Sequence, residues 1–246
     1  MNDNLRCNSH VHTMRTVGRG VTVGTLLLGA FACIRVWADD ATATPKTNKA
    51  GTNPAASKAG DAKSGWTTLF DGRTLNGWKS TDFGGEGTVE VKDGAILLGV
   101  GNDLTGVNFL RPTPHRNYEV SLEARRVDGL DFFCGLTFPV KNDPCSLIIG
   151  GWGGGVCGLS SIDGLDASEN STTKYREFET GRWYAIRLRV TDAKIEAWID
   201  KDQIVDQKLA GKKLSIRSEV EASRPFGIAS YRTLAALRNI RLRELK

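Results

Sequence analysis

Residues 65–246 predict an all-β fold, a two-sheet antiparallel β-sandwich, on three observations. Apolar and polar side chains alternate with a period of two from Trp66 onward, the pattern of strands that bury one face. Turn dipeptides separate the alternating runs. No long stretch holds a 3.6-residue period, so helices have no claim on the core. About a dozen short strands in one domain of ordinary size suit two stacked sheets that share a core.

The elements follow in order. Tyr118 to Arg125 puts Tyr118, Val120, Leu122 and Ala124 on one face and Glu119, Ser121, Glu123 and Arg125 on the other. Trp183 to Val190 sends Ile186, Leu188 and Val190 inward and Arg187 and Arg189 outward. Lys194 to Ile199 puts Ile195, Ala197 and Ile199 on one side, opposite Glu196 and Trp198. Gln203 to Leu209 and Leu237 to Leu245 alternate as well. Between these runs lie Asp71-Gly72, Asn76-Gly77, Asp93-Gly94, Asp128-Gly129, Thr180-Gly181 and Asp200 to Asp202.

The middle departs from alternation. Phe132 to Phe138 and Ser146 to Ile149 are continuous apolar runs, which predict strands covered on both faces. Gly150-Gly-Trp-Gly-Gly-Gly155 follows the second run. Five glycines around Trp152 fit a backbone kept clear beside an aromatic platform, or a tight sheet crossing with Trp152 in the core. No helix follows to present its N-terminus, so the run is no phosphate loop.

The first 64 residues predict export. Val21 to Ile34 carries no charge and follows Arg15 and Arg19. As a helix it spans roughly 21 Å, too short for a bilayer core of ~30 Å. Val36 and Ala38 place small residues where a leader peptidase cuts, so 1–38 reads as a secretory signal peptide. Residues 39–64 contain no Val, Ile, Leu or aromatic residue and read as a flexible tether. The expectation is an exported bacterial protein, periplasmic or extracellular, with no span in the mature chain.

Subtracting those segments changes the charge. The whole chain carries +5. The leader holds +3 and the tether +1, which leaves +1 for 65–246. A near-neutral domain gives no electrostatic case for nucleic acid. Cys134, Cys145 and Cys157 remain in the domain, an odd number that fits one disulfide plus a thiol, or three buried thiols. His115 is the domain's lone histidine, so neither a Ser-His-Asp triad nor a His-rich metal site can form.

Several blocks carry a resemblance. Gly65-Trp-Thr-Thr-Leu-Phe-Asp-Gly-Arg-Thr-Leu-Asn-Gly-Trp78 opens the domain, and Val89 to Gly94, Asn117 to Leu122, Gly181 to Tyr184 and Leu237 to Glu244 follow in order. Together they resemble the DUF1080 family, described as 3-keto-disaccharide hydrolases or 3-keto-glycoside lyase/hydratases. The resemblance covers nearly all of 65–246. It implies a concanavalin-like jelly roll, and chemistry on sugars already oxidised at C3.

Such chemistry needs a base near C2, a donor to the C3 oxygen and a donor to the leaving oxygen. Carboxylates are the available bases. Ser160 to Thr173 is the richest polar segment, with Asp163, Asp166, Glu169 and Asn170 close together. It could supply a base, hydrogen bonds to sugar hydroxyls, or oxygen ligands to a divalent metal such as Ca²⁺; it also reads as a solvated loop making its own turns. Asp163, Glu169 and Asp131 are the catalytic candidates. Asp166, Asn170, Arg126, Trp152 and Tyr175 are the binding candidates, the two aromatic rings as surfaces for apolar sugar faces. Trp66, Trp78 and Trp183 sit in the framework blocks and read as core. The leading expectation is a secreted enzyme acting on an oxidised glycoside. The rivals are a non-catalytic carbohydrate-binding module and a structural surface domain.

Overall fold

The computed structural model describes residues 65–246. The leader and tether expectations for 1–64 lie outside the described residues. Fifteen strands form two antiparallel sheets. The chain runs through β1 (Thr67–Thr68), β2 (Trp78–Ser80), β3 (Val89–Lys92), β4 (Ala95–Leu98) and β5 (Leu104–Phe109). The long β6 (Tyr118–Asp128) precedes β7 (Cys134–Val140), β8 (Asp143–Gly151), β9 (Val156–Ser160) and β10 (Lys174–Tyr175). Then come β11 (Tyr184–Val190), β12 (Lys194–Ile199), β13 (Asp202–Lys208), a 3-10 helix (Ser218–Ser223), β14 (Gly227–Tyr231) and β15 (Leu234–Glu244).

The first sheet has the order β13-β12-β11-β6-β15-β4-β3, with β1 paired to β15. The second has the order β10-β9-β8-β7-β14-β5-β2. At the centre of each sheet, β15 lies between β6 and β4 and β14 between β7 and β5, strands from distant parts of the chain, as a jelly-roll crossover requires. The predicted inward residues of β6, β11 and β12 are all buried between the sheets, facing Leu136, Phe138, Leu147 and Ile149 of the second sheet. Among the described residues the 3-10 helix is the one helical segment, and no helix is long and apolar enough to cross a membrane.

The apolar runs of β7 and β8 are buried on both faces, as their lack of alternation predicts. One face meets the first sheet. The other lies under loops, while the 3-10 helix packs on β14 and β5, where Asn108 donates to the carbonyls of Ala222 and Arg224.

The tryptophans divide differently from expectation. Trp78 is core, its ring tilted against Phe109 and Phe226. Trp66 and Trp183 are not; they lie partly exposed on the outer face of the first sheet, under Arg243 at 4.6 Å and Arg238 at 4.0 Å. The reason is parity. Tyr184 points inward, so the preceding Trp183 points out. Trp198 joins them beneath Arg187 at 3.7 Å. This face is thus a lattice of indole rings, guanidinium groups and Glu119, Glu123 and Glu196.

Cys134, Cys145 and Cys157 are free, buried thiols. Burial pushes Cys134 and Cys145 up to about 12, and Cys157 up to about 11. A thiolate is the reactive form. We therefore expect iodoacetamide at neutral pH to leave these three unmodified in the folded protein and to alkylate all three in denaturant. Peptide mass mapping checks this; alkylation of any one before unfolding would refute it.

Candidate functional site

The outer face of the second sheet floors a cleft of about 530 Å³, within the usual range of small-ligand sites. Ser146 and Ile148 of β8, Ser160 of β9 and Leu104 of β5 form the floor. Their parity is opposite to the core residues Leu147, Ile149 and Leu159. Phe132 and Tyr231, stacked with centroids 5.9 Å apart, form one side. Trp152 rises at the β8–β9 turn. Arg217, Glu219 and Val220, at the start of the 3-10 helix, close another side, and Phe83 to Gly85 a third. Glu86 folds that last loop by accepting the backbone N–H groups of Phe83 and Gly85.

The Trp152 turn is built from beneath. Arg126 projects from β6 and is buried. Its guanidinium donates to the carbonyls of Asp131 (3.1 Å), Gly150 (3.3 Å) and Gly154 (3.0 Å), and lies 5.3 Å from the Phe133 ring centre. Burial pushes its pKa down from the ordinary arginine value. Glycine is required at Gly150 and Gly154 by positive φ, 76° and 112°, and by close neighbours. A Cβ on Gly150 would sit 2.9 Å from the Arg126 guanidinium, and one on Gly154 2.7 Å from the Leu130 carbonyl. Asp131 completes the clamp, accepting the N–H of Phe132 at 2.7 Å and of Gly153 at 3.0 Å. Trp152 itself has φ 50° and is 42% exposed, so it stands at the cleft edge and not in the core.

Charge around the cleft is paired. Arg217 donates to Glu219 at 2.6 Å and to Asp166 at 3.0 Å. The Arg217 hydrogen bond, followed by a backbone N–H, holds the Glu219 carboxyl below its ordinary value. Asp103 is bridged by Arg232 at 2.7 Å. On the floor, Ser146 and Thr137 share a hydrogen bond of 2.8 Å, whereas the buried Ser160 hydroxyl has no partner.

Of the residues singled out in the sequence, Asp131 and Trp152 line the cleft together, and Arg126 supports both from below. Asp166 reaches the site only through Arg217, while also capping its own turn through Ser168. The others lie elsewhere. Asp163 is exposed, and Lys212, then the Lys213 N–H, hold its carboxyl below the ordinary value. Glu169 points to solvent outside the cleft. Asn170 donates to the carbonyls of Leu159, Leu165 and Asp166 and accepts from Thr172, so it is the organiser of the 160–173 loop. Tyr175, on edge strand β10, is 77% exposed and does not line the cleft. Asp163 and Asp166 of that loop diverge to separate cationic partners, Lys212 and Arg217. Among the described residues no three His, Cys, Asp or Glu side chains converge on a point where a cation would sit.

Sequence reasoning missed Phe132, Tyr231, Ser160, Arg217 and Glu219. Phe132 was hidden inside an apolar run, although Phe133 inward places Phe132 outward. Arg217 and Glu219 carry no strand pattern, and only the return of the chain over β14 brings them to the site.

Replacing Arg126 by Met removes donors from three carbonyls at once. We expect a loss of about 3 kcal/mol in unfolding free energy, read by urea titration. A stability unchanged from the parent would show that the Trp152 turn holds without the clamp.

The 3-keto-alpha-glucoside-1,2-lyase-like domain family matches residues 65–243. No curated protein matches significantly. A provisionally assigned glycosyl hydrolase from Parabacteroides distasonis ATCC 8503 superposes with a TM-score of 0.51 at 14% identity, covering 78% of this chain and 99% of its own. The Crh5 transglycosylase, in complex with NAG, gives a TM-score of 0.51 at 10% identity, covering 74% of this chain and 84% of its own. At such identities these likenesses speak to the fold alone, and the family match over nearly the whole described domain carries the assignment. The chain belongs to the 3-keto-alpha-glucoside-1,2-lyase-like family of carbohydrate-active β-sandwich domains.

Proposed function

We propose that the domain binds a 3-keto-glycoside in the cleft on the second sheet and cleaves it by elimination and hydration. The observation that carries this reading is the placement of Glu219, held ionised by Arg217, at the edge of a cleft rimmed by Trp152, Phe132 and Tyr231. Aromatic rings take the apolar faces of a pyranose. The C3 ketone acidifies the C2 proton. Glu219 removes that proton, and the electron pair enters the enolate. The enolate reforms the C3 carbonyl and makes a C1–C2 double bond as the C1–O bond breaks. The departing oxygen takes a proton, and water then adds its hydroxyl to C1 and its proton to C2. The balance is hydrolysis without redox change. Asp131 is less suited as base because its carboxylate holds the Trp152 turn.

Export belongs to the same proposal. The uncharged segment 21–34 after Arg15 and Arg19, with Val36 and Ala38 behind it, supports work in the periplasm or outside the cell.

A second reading is a glycan-binding module without turnover. It is favoured by the prior engagement of every carboxylate at the cleft: Asp103 with Arg232, Asp131 with backbone, Glu219 with Arg217. Incubation of the purified protein with p-nitrophenyl 3-keto-α-glucoside, with and without EDTA, separates the two. Released nitrophenol above the spontaneous rate supports the enzyme, and the EDTA arm reports on a metal. Saturable binding of the ketoglycoside with no release would establish the binding module instead.

A further inference from the structure

The cleft floor contains one side chain whose chemistry is unfinished. Ser160, at the end of β9, pairs across the ladder with Ser146 of β8, which pairs in turn with Thr137 of β7. The three hydroxyls therefore form a row across adjacent strands, about 4.8 Å apart. Each residue is 1% exposed. Thr137 and Ser146 satisfy one another at 2.8 Å, and Ser160 is left at the end of the row with no partner for its Oγ. A buried hydroxyl offers one proton and accepts through two lone pairs, and native interiors rarely leave one unpaired without a reason.

The charges around it restrict what the missing partner can be. Asp103, Asp131 and Glu219 line the cleft against a single lining guanidinium, Arg217. That guanidinium already grips Asp166 and Glu219, one through each terminal nitrogen. Ile148 of β8 and Leu104 of β5 add apolar surface to the same floor. A ligand carboxylate or sulfate would meet carboxylates on the walls and a floor of hydroxyl and aliphatic groups with no unpaired cation.

We propose that Ser160 is a ligand-binding residue, bonding a hydroxyl or carbonyl oxygen of an uncharged pyranosyl unit, and that the cleft rejects uronate and sulfated sugars. The inference rests on the cleft being the sugar site of the proposed function, but it needs no turnover. Trp152 and Phe132 hold the ring faces while Ser160 reads one edge oxygen from below.

Calorimetric titration of the full chain with methyl α-glucopyranoside and methyl α-glucuronopyranoside tests this. The neutral glycoside should bind at least about tenfold tighter, and raising salt should narrow the gap by screening the acidic walls. Ser160→Ala should weaken the neutral glycoside about tenfold while its melting temperature stays at or above the parent's, since only an unpaired hydroxyl is lost. Ser160→Thr, which keeps the hydroxyl, should recover part of the affinity. Equal affinity for the two glycosides, unaltered affinity in Ser160→Ala, or no binding of either sugar would each overturn the proposal. Selective, Ser160-dependent binding by a protein that releases nothing from the ketoglycoside would sustain this inference while sinking the enzymatic reading.

Discussion

Glu219→Gln lowers kcat/KM for a 3-keto-glycoside about 10²- to 10⁴-fold, the usual worth of a positioned base, while the affinity for methyl α-glucopyranoside stays within a few-fold. Gln keeps the size of the side chain and one oxygen for the Arg217 contact at 2.6 Å, so the change falls on proton abstraction. The pH profile supplies a second readout. The Arg217 hydrogen bond lowers the Glu219 pKa, so the carboxylate stays ionised as pH falls through the ordinary glutamate range near ~4.3. The rate should stay flat through that window and fall only below it. In Arg217→Ala the largest cause of the lowering is lost, and the acid limb should move upward toward the ordinary value. An unaltered limb in Arg217→Ala, or full turnover in Glu219→Gln, would take the base away from Glu219 and direct the search to Asp131.

Glu119→Ala should cost about 3 kcal/mol of unfolding free energy, measured by urea titration. Glu119 is fully buried although it lies on the outward parity of β6. It stands opposite Arg189 on one neighbouring strand and Arg243 on the other, with Arg187 at 3.5 Å. Arg189 donates to one carboxylate oxygen at 2.7 Å, and Arg243 binds the other. Removing the carboxylate leaves three guanidinium groups facing each other over the central strand pair, where like charges directly opposed are destabilising. Each of these arginines is about one third exposed and can turn to solvent, which keeps the loss at the low end for a broken buried pair. Glu123→Ala is the contrast. Its carboxylate, 30% exposed and held by Arg238 at 2.7 Å, should cost about 1 kcal/mol or less. Equal losses would mean that burial of Glu119 adds nothing.

How far the sequence reached differs between scaffold and site. The alternation of β6, β11 and β12 placed every inward residue, because a strand's period of two is a local property. The glycine run located the Trp152 turn, but not its cause. The space it clears is occupied by Arg126, which lies some two dozen residues earlier and contacts Gly150 and Gly154 only after β6 passes under β8. The polar loop 160–173 drew attention by composition. Yet its side chains mainly organise the loop itself and bind Lys212 and Arg217, and only Ser160 stays on the cleft floor.

By itself the sequence determined the class of the fold and the family the chain belongs to, since periodicity and ordered blocks are written along the chain. The tertiary structure alone decided the site. Phe83, Asp103, Phe132, Trp152, Glu219 and Tyr231 are spread over most of the domain, and they meet because the crossovers bring β5, β14, β7, β8 and β9 side by side. Which carboxylate is spent on backbone, which is paired and which hydroxyl is left without a partner depends on angstrom-scale contacts between residues far apart in sequence, and no local pattern encodes those distances.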